Sequence, residues 1–134
     1  MTKAKILAPL HVESKILEIR GERVMLDADL ADVYGVTTKA LNQAVKRNLD
    51  RFPEDFKFQL TAEVAASLRS QTVTSKQGRG GRRYVPWAFT EHGALMAATV
   101  LNSPRAVEMS VFVVRAFVRR RSSGRNAGSR RLTG

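Results

Sequence analysis

Between residues 38 and 47, TKALNQAVKR sets Lys39, Asn42, Gln43 and Lys46 at helical spacings of i, i+3, i+4 and i+7. On a helix these four side chains share one face. Asn and Gln carboxamides can form paired hydrogen bonds with adenine in the major groove, and a Lys ammonium can read guanine or hold phosphate. Thr38 stands at the helix start, where such helices meet base edges. Arg47 lies beside the face and suits a backbone phosphate. A helical hairpin with a solvated polar face is the plainer alternative.

A second constellation is KQGRGGRRY, 76–84. Its glycines would let backbone N–H groups approach phosphates, and Arg79, Arg82 and Arg83 would add charge-assisted hydrogen bonds. As a wing between two strands it would grip the DNA backbone or minor groove; a flexible solubilising loop fits the residues equally well. No GK[ST] follows, so it is not a P-loop.

The charge balance favours a polyanionic partner. Residues 1–56 carry nine Lys/Arg and nine Asp/Glu, while residues 57–134 carry fourteen Lys/Arg against three acids, so the whole net charge of +11 lies in the second part. Such asymmetry points to nucleic acid or an anionic membrane. Catalysis has little support. The absence of cysteine excludes disulfides, Cys-type zinc fingers and thiol chemistry. His11 and His92 are too few for a histidine metal cluster. Asp27, Asp29 and Asp32 read as charges favoured at a helix N-terminus. No catalytic residue, metal or cofactor is expected, and the chain is read as a non-enzyme. No run approaches the roughly 18 apolar residues of a membrane span, so a cytoplasmic protein without a membrane partner is expected.

The elements that must position these residues follow from periodicity and turn chemistry. Residues 1–14 read as a loose leader. KILEIRGERVML, 15–26, alternates around Arg20-Gly21-Glu22 and predicts a hairpin. Asp27 is a candidate N-cap for a helix over 28–34, Gly35 its terminator, and Thr37 or Thr38 the cap of the next helix, which runs to about Asn48. Ala31 is the small residue over which a second helix can cross; Leu30, Tyr34, Val36, Leu41 and Ala44 should face inward. Phe56, Phe58 and Leu60 predict a half-buried strand, Thr61 caps a short helix, and residues 70–83 read as an exposed loop. Trp87 and Phe89 follow Pro86, which suggests an edge or irregular strand. Thr90 caps another helix, and Ser103-Pro104 opens the last. Val107, Val111, Val114 and Val118 form its apolar stripe, broadened by Phe112 and Phe117 and long enough to pack a partner helix as well as its own core. Arg115 and Arg119 to Arg121, followed by Arg125, Arg130 and Arg131, exceed what a helix dipole needs and suggest non-specific phosphate attraction. Residues 122–134 read as a disordered basic tail. The fold class is α+β: a small compact domain over 15–121 with a helix-turn-helix-like pair, a small antiparallel sheet and two C-terminal helices.

RFPEDFKFQL, FTEHG and VLNSPRA are the most distinctive segments of a longer likeness. Over roughly residues 15–121 the chain resembles the phage and bacterial KilA-N superfamily, closest to the variety named for the N-terminal domain of a phage ORF-six protein. The resemblance implies an α+β DNA-binding domain of phage, prophage or mobile-element proteins, some of them antirepressors or transcription regulators. It implies DNA contact through the segment matching 37–48. The leading expectation is a sequence-preferring binder of double-stranded DNA. The alternatives are an antirepressor-type module that engages a repressor or other regulator protein, and a non-specific nucleic-acid binder using the basic loop and tail. Helix-turn-helix units often act as dimers, so a homodimer is compatible with this reading, although no residue pattern locates its interface.

Overall fold

A computed structural model describes the backbone of residues 9–72 and 85–133, and the side chains of 11–68 and 85–121. The chain is an α+β fold. Its elements are α1 (Pro9–Glu13), β1 (Leu17–Ile19), β2 (Glu22–Leu26), α2 (Asp27–Tyr34), α3 (Thr38–Lys46), β3 (Lys57–Gln59), α4 (Ala62–Thr72), β4 (Trp87–Phe89), α5 (Glu91–Leu101) and α6 (Pro104–Thr133), with a 3-10 turn at Leu49–Arg51.

The expected hairpin is β1–β2, antiparallel with Ile19 opposite Glu22; Arg20 and Gly21 between them both have positive φ, as a tight two-residue turn requires. The sheet has the order β1-β2-β4-β3 and all its pairs are antiparallel. This corrects the edge-strand expectation for 87–89: β4 is central. Pro86 stands just before the strand, so its missing N–H costs the ladder nothing, and its carbonyl accepts from Leu60 N–H at 3.0 Å.

Strand alternation divides the interior in two. Met25 and Phe89 face a main core shared with Leu30, Tyr34, Leu41, Val45, Ala94, Ala97, Met109, Val113 and Phe117. Val24 and Ala88 face the other way, onto Ile19, Leu60 and Ala65 of α4. Each large side chain fully buried here contributes roughly 1.5–3 kcal/mol. Residues 9–13 depart from the expected loose leader: α1 packs against α6, with Val12 and Ile16 buried.

The last helix brings two corrections. Its backbone continues to Thr133, where disorder was expected after Arg121; no proline follows Pro104 to interrupt it. More important, the valine stripe is not its inner side. The buried residues are Ala106, Met109, Val113, Ala116 and Phe117, whereas Val107, Val111 and Val118 are exposed.

Candidate nucleic-acid interface

The candidate interface is built from α2 and α3. Helix α2 ends in a paired-bond cap: Gly35 N–H donates to Asp32 O at 3.2 Å and Val36 N–H to Ala31 O at 2.9 Å. That geometry needs a left-handed residue, and Gly35 has φ 74°. A side chain there would also meet Arg105, whose Cδ and Nε lie 2.7 Å from the Cβ position. Arg105 Nε in turn donates to Val33 O at 3.3 Å, tying the end of α2 to the start of α6. Thr37 then caps α3, its Oγ1 accepting from Ala40 N–H at 3.0 Å.

Helix α3 separates its sides cleanly. Leu41 and Val45 are buried, Ala44 is half-buried, and Lys39, Gln43, Lys46 and Arg47 are exposed. No ion pair among the described residues involves Lys39, Lys46 or Arg47. Thr38 is half-buried at the first helical position. The inner partners are those expected: Leu30, Ala31, Tyr34 and Leu41 are buried and Val36 packs against the same core.

Asn42 stands apart from its expected companions. It is half-buried, and its Nδ2 donates to Asp27 Oδ2 at 3.0 Å. Asp27 is fully buried at the junction of β2 and α2. It takes Ala28 N–H on Oδ1 at 2.8 Å and Trp87 N–H on Oδ2 at 3.4 Å. This one carboxyl group therefore joins α2, α3 and the start of β4. The helix begins at Asp27 itself, preceded by Leu26, so Asp27 is a joint rather than the expected N-cap. The sequence marked Asp27 only as an acidic residue at a helix start; its partners lie 15 and 60 residues away, beyond the reach of local pattern.

Arg79, Arg82 and Arg83 lie outside the described residues. Arg119, Arg120 and Arg121 of α6 differ from the expectation of free phosphate-binding arginines, while the side chains of Arg125, Arg130 and Arg131 lie outside the described residues. Arg119 pairs with Glu13 at 3.3 Å, Arg120 donates to Ile16 O at 3.3 Å, and Arg121 pairs with Glu91. Arg115 remains exposed and outside these ion pairs.

Burial perturbs three titratable groups around the core. It raises the Asp29 carboxyl above its ordinary range despite the opposing Lys15 ammonium at 3.6 Å. It lowers Lys57, whose ammonium lies 3.5 Å from the Trp87 ring centroid. It raises Tyr34, whose hydroxyl donates to Ala94 O at 2.9 Å inside the core. All three are explained by packing. Among the described residues no group of three or more His, Cys, Asp or Glu could hold a metal, and no helix is long and apolar enough to cross a membrane.

The distinctive segments of the sequence prove to be joints of the scaffold. Thr90 of FTEHG accepts from Gly93 N–H and donates to the carbonyls of Asp55 and Phe56 at 3.1 Å. A Cβ at Gly93 would lie 1.9 Å from Phe56 O, so only glycine lets these backbones meet. His92 stacks on Phe56 with ring centroids 5.6 Å apart. In VLNSPRA, Asn102 takes the left-handed conformation that ends α5, and Ser103 Oγ caps α6 by accepting from Ala106 N–H at 3.1 Å. None of these residues needs a ligand to account for it.

No curated protein and no solved structure matches the chain. A family model described as ORF6N domain matches residues 14–100, a span that includes the joints at Asp27, Gly35 and Thr90 and stops before α6. The chain belongs to the ORF6N domain family.

Proposed function

We propose that this protein binds double-stranded DNA with sequence preference, laying the outer side of α3 in the major groove, and serves as a regulator in a phage, prophage or mobile-element setting. The observation that carries the reading is the division of α3. Leu41 and Val45 are locked into the core while Lys39, Gln43, Lys46 and Arg47 stand together in solvent, behind a glycine-capped turn. Family membership supports a phage-associated protein; the wider KilA-N kinship and DNA binding itself belong to this proposal. The reading assigns the chain to binding rather than catalysis, in the cytoplasm of a bacterial host.

Within this reading Gln43 is the base-reading carboxamide. Lys39 and Lys46 hold guanine or phosphate, and Arg47 a flanking phosphate. Asn42 keeps α3 at its angle through Asp27. The test is anisotropy of a labelled random-sequence duplex pool at two salt concentrations, followed by sequencing of the retained fraction. Salt-sensitive binding with an enriched motif is expected. Replacing Gln43 with Ala should reduce discrimination by about 1–3 kcal/mol per lost base contact. Salt-sensitive binding without a motif would replace base reading with backbone binding. Absence of binding, with retention of a repressor instead, would replace it with the antirepressor reading.

A further inference from the structure

Helix α6 is apolar on two sides, and among the described residues only one of them is buried. Its inner side carries Ala106, Met109, Val113, Ala116 and Phe117. About 140° round the helix, at 100° per residue, Val107, Val111, Val114 and Val118 follow one another at steps of four, three and four. Val107 is 54% exposed, Val111 47% and Val118 42%; Val114 is half-buried. Steps of four and three are the seam of a two-helix coiled coil, and β-branched residues suit such a seam. An apolar stripe on a helix normally faces a cover.

The charges flanking the seam identify what covers it. Glu108 and Arg115 are both exposed on the same flank, two turns apart, and neither joins an ion pair among the described residues. A seam with one acid and one base on a single flank is complementary to itself when reversed. Turned about a twofold axis between Val111 and Val114, the seam sets Val111 against the partner's Val114 and Val107 against the partner's Val118. Glu108 then comes level with position 117 of the second copy, two residues or about 3 Å along the axis from the partner's Arg115. The same pair forms twice, as an isologous contact requires. A parallel arrangement would instead set Glu108 and Arg115 opposite Ser103 and Ser110, leaving both charges without a partner.

We propose that this valine seam is the contact for a second copy of the chain, with the two α6 helices antiparallel and their Glu108 and Arg115 side chains paired across the twofold axis. The seam is four valines over about 17 Å, a smaller contact than the roughly 20–30 residues a side of a standard interface, so the dimer should dissociate in the micromolar range.

Sedimentation velocity of nucleic-acid-free protein over about a hundredfold concentration range around that value tests the proposal. The expected result is a shift from monomer to dimer mass. Val111→Glu should weaken association at least about tenfold with an unchanged circular dichroism spectrum, because its side chain faces outward. Glu108→Arg and Arg115→Glu should each weaken it, and the double reversal should restore it. A monomer throughout, or a dimer indifferent to Val111→Glu, would overturn the proposal. Single reversals that the double variant does not rescue would overturn the antiparallel pairing. The reversals leave every valine in place, so the test stands even if Val111→Glu disturbs folding.

Discussion

Helices α3 and α6 turn one side each to the same core, and their outer sides are opposite in chemistry. Leu41 and Val45 of α3 and Met109, Val113 and Phe117 of α6 belong to one cluster. Outward, α3 presents Lys39, Gln43, Lys46 and Arg47, and α6 presents Val107, Val111 and Val118. Water solvates the first set at no cost, so only an attractive ligand would draw it out of solvent. The second set already loses free energy by standing in water and gains from any apolar cover. Inner side chains thus decide whether the fold exists, and outer ones decide what it meets.

The largest effect should remove both outer sides together. Gly93 lets α5 lie against the Phe56 backbone, and α5 supports α3 and α6 alike. Gly93→Ala forces backbone apart, and should cost more than about 4 kcal/mol in urea unfolding. A variant with wild-type stability would mean that the Phe56 segment yields freely, and that the two helices do not depend on this joint.

Next comes the inner-to-outer contrast on α6 itself. Phe117→Ala should cost about 3–5 kcal/mol, and Val111→Ala no more than about 0.5 kcal/mol when measured on the monomer. Comparable losses at both sites would erase the distinction between the two sides of the helix.

A finer contrast lies within α3, between neighbours of similar chemistry. Asn42→Ala removes a donor from the buried Asp27 carboxyl and should cost about 1–3 kcal/mol of stability. Gln43→Ala should leave stability within about 0.5 kcal/mol and change only the base preference. If Asn42→Ala instead altered base preference on an undisturbed fold, Asn42 would rejoin the reading face and Asp27 would lose its role as the anchor of α3.

That pair also marks how far the sequence could be read. Local chemistry was legible: the Gly35 terminator, the caps at Thr37, Thr61 and Thr90, the hairpin at Arg20-Gly21 and the strand at Lys57–Gln59 all depend on residues a few positions apart. What depended on distant partners was hidden. β4 became central because β2 and β3 flank it from far along the chain, a fact Pro86 could not announce. α1 formed because α6 covers Val12. The inner side of α6 was ambiguous because both sides are apolar, and the valines made the more regular stripe. Arg119 to Arg121 looked free because Glu13, Ile16 and Glu91 lie far from them in sequence. For α3, the exposed side was legible from spacing alone, but the bond that ties Asn42 to Asp27 was not.

The smallest effect separates the helix from the basic loop. Lys46 is exposed at the end of α3 and belongs to no ion pair among the described residues. If it neutralises a phosphate, Lys46→Ala should weaken binding to every duplex about equally and reduce the slope of log affinity against log salt by about 1. Gln43→Ala, which removes no charge, should leave that slope alone. The two variants together therefore ask whether α3 carries both the grip and the reading. A slope unchanged by Lys46→Ala, but reduced when Arg79, Arg82 and Arg83 are replaced, would move the grip to the loop. Gln43 would then read bases on a helix that something else holds down.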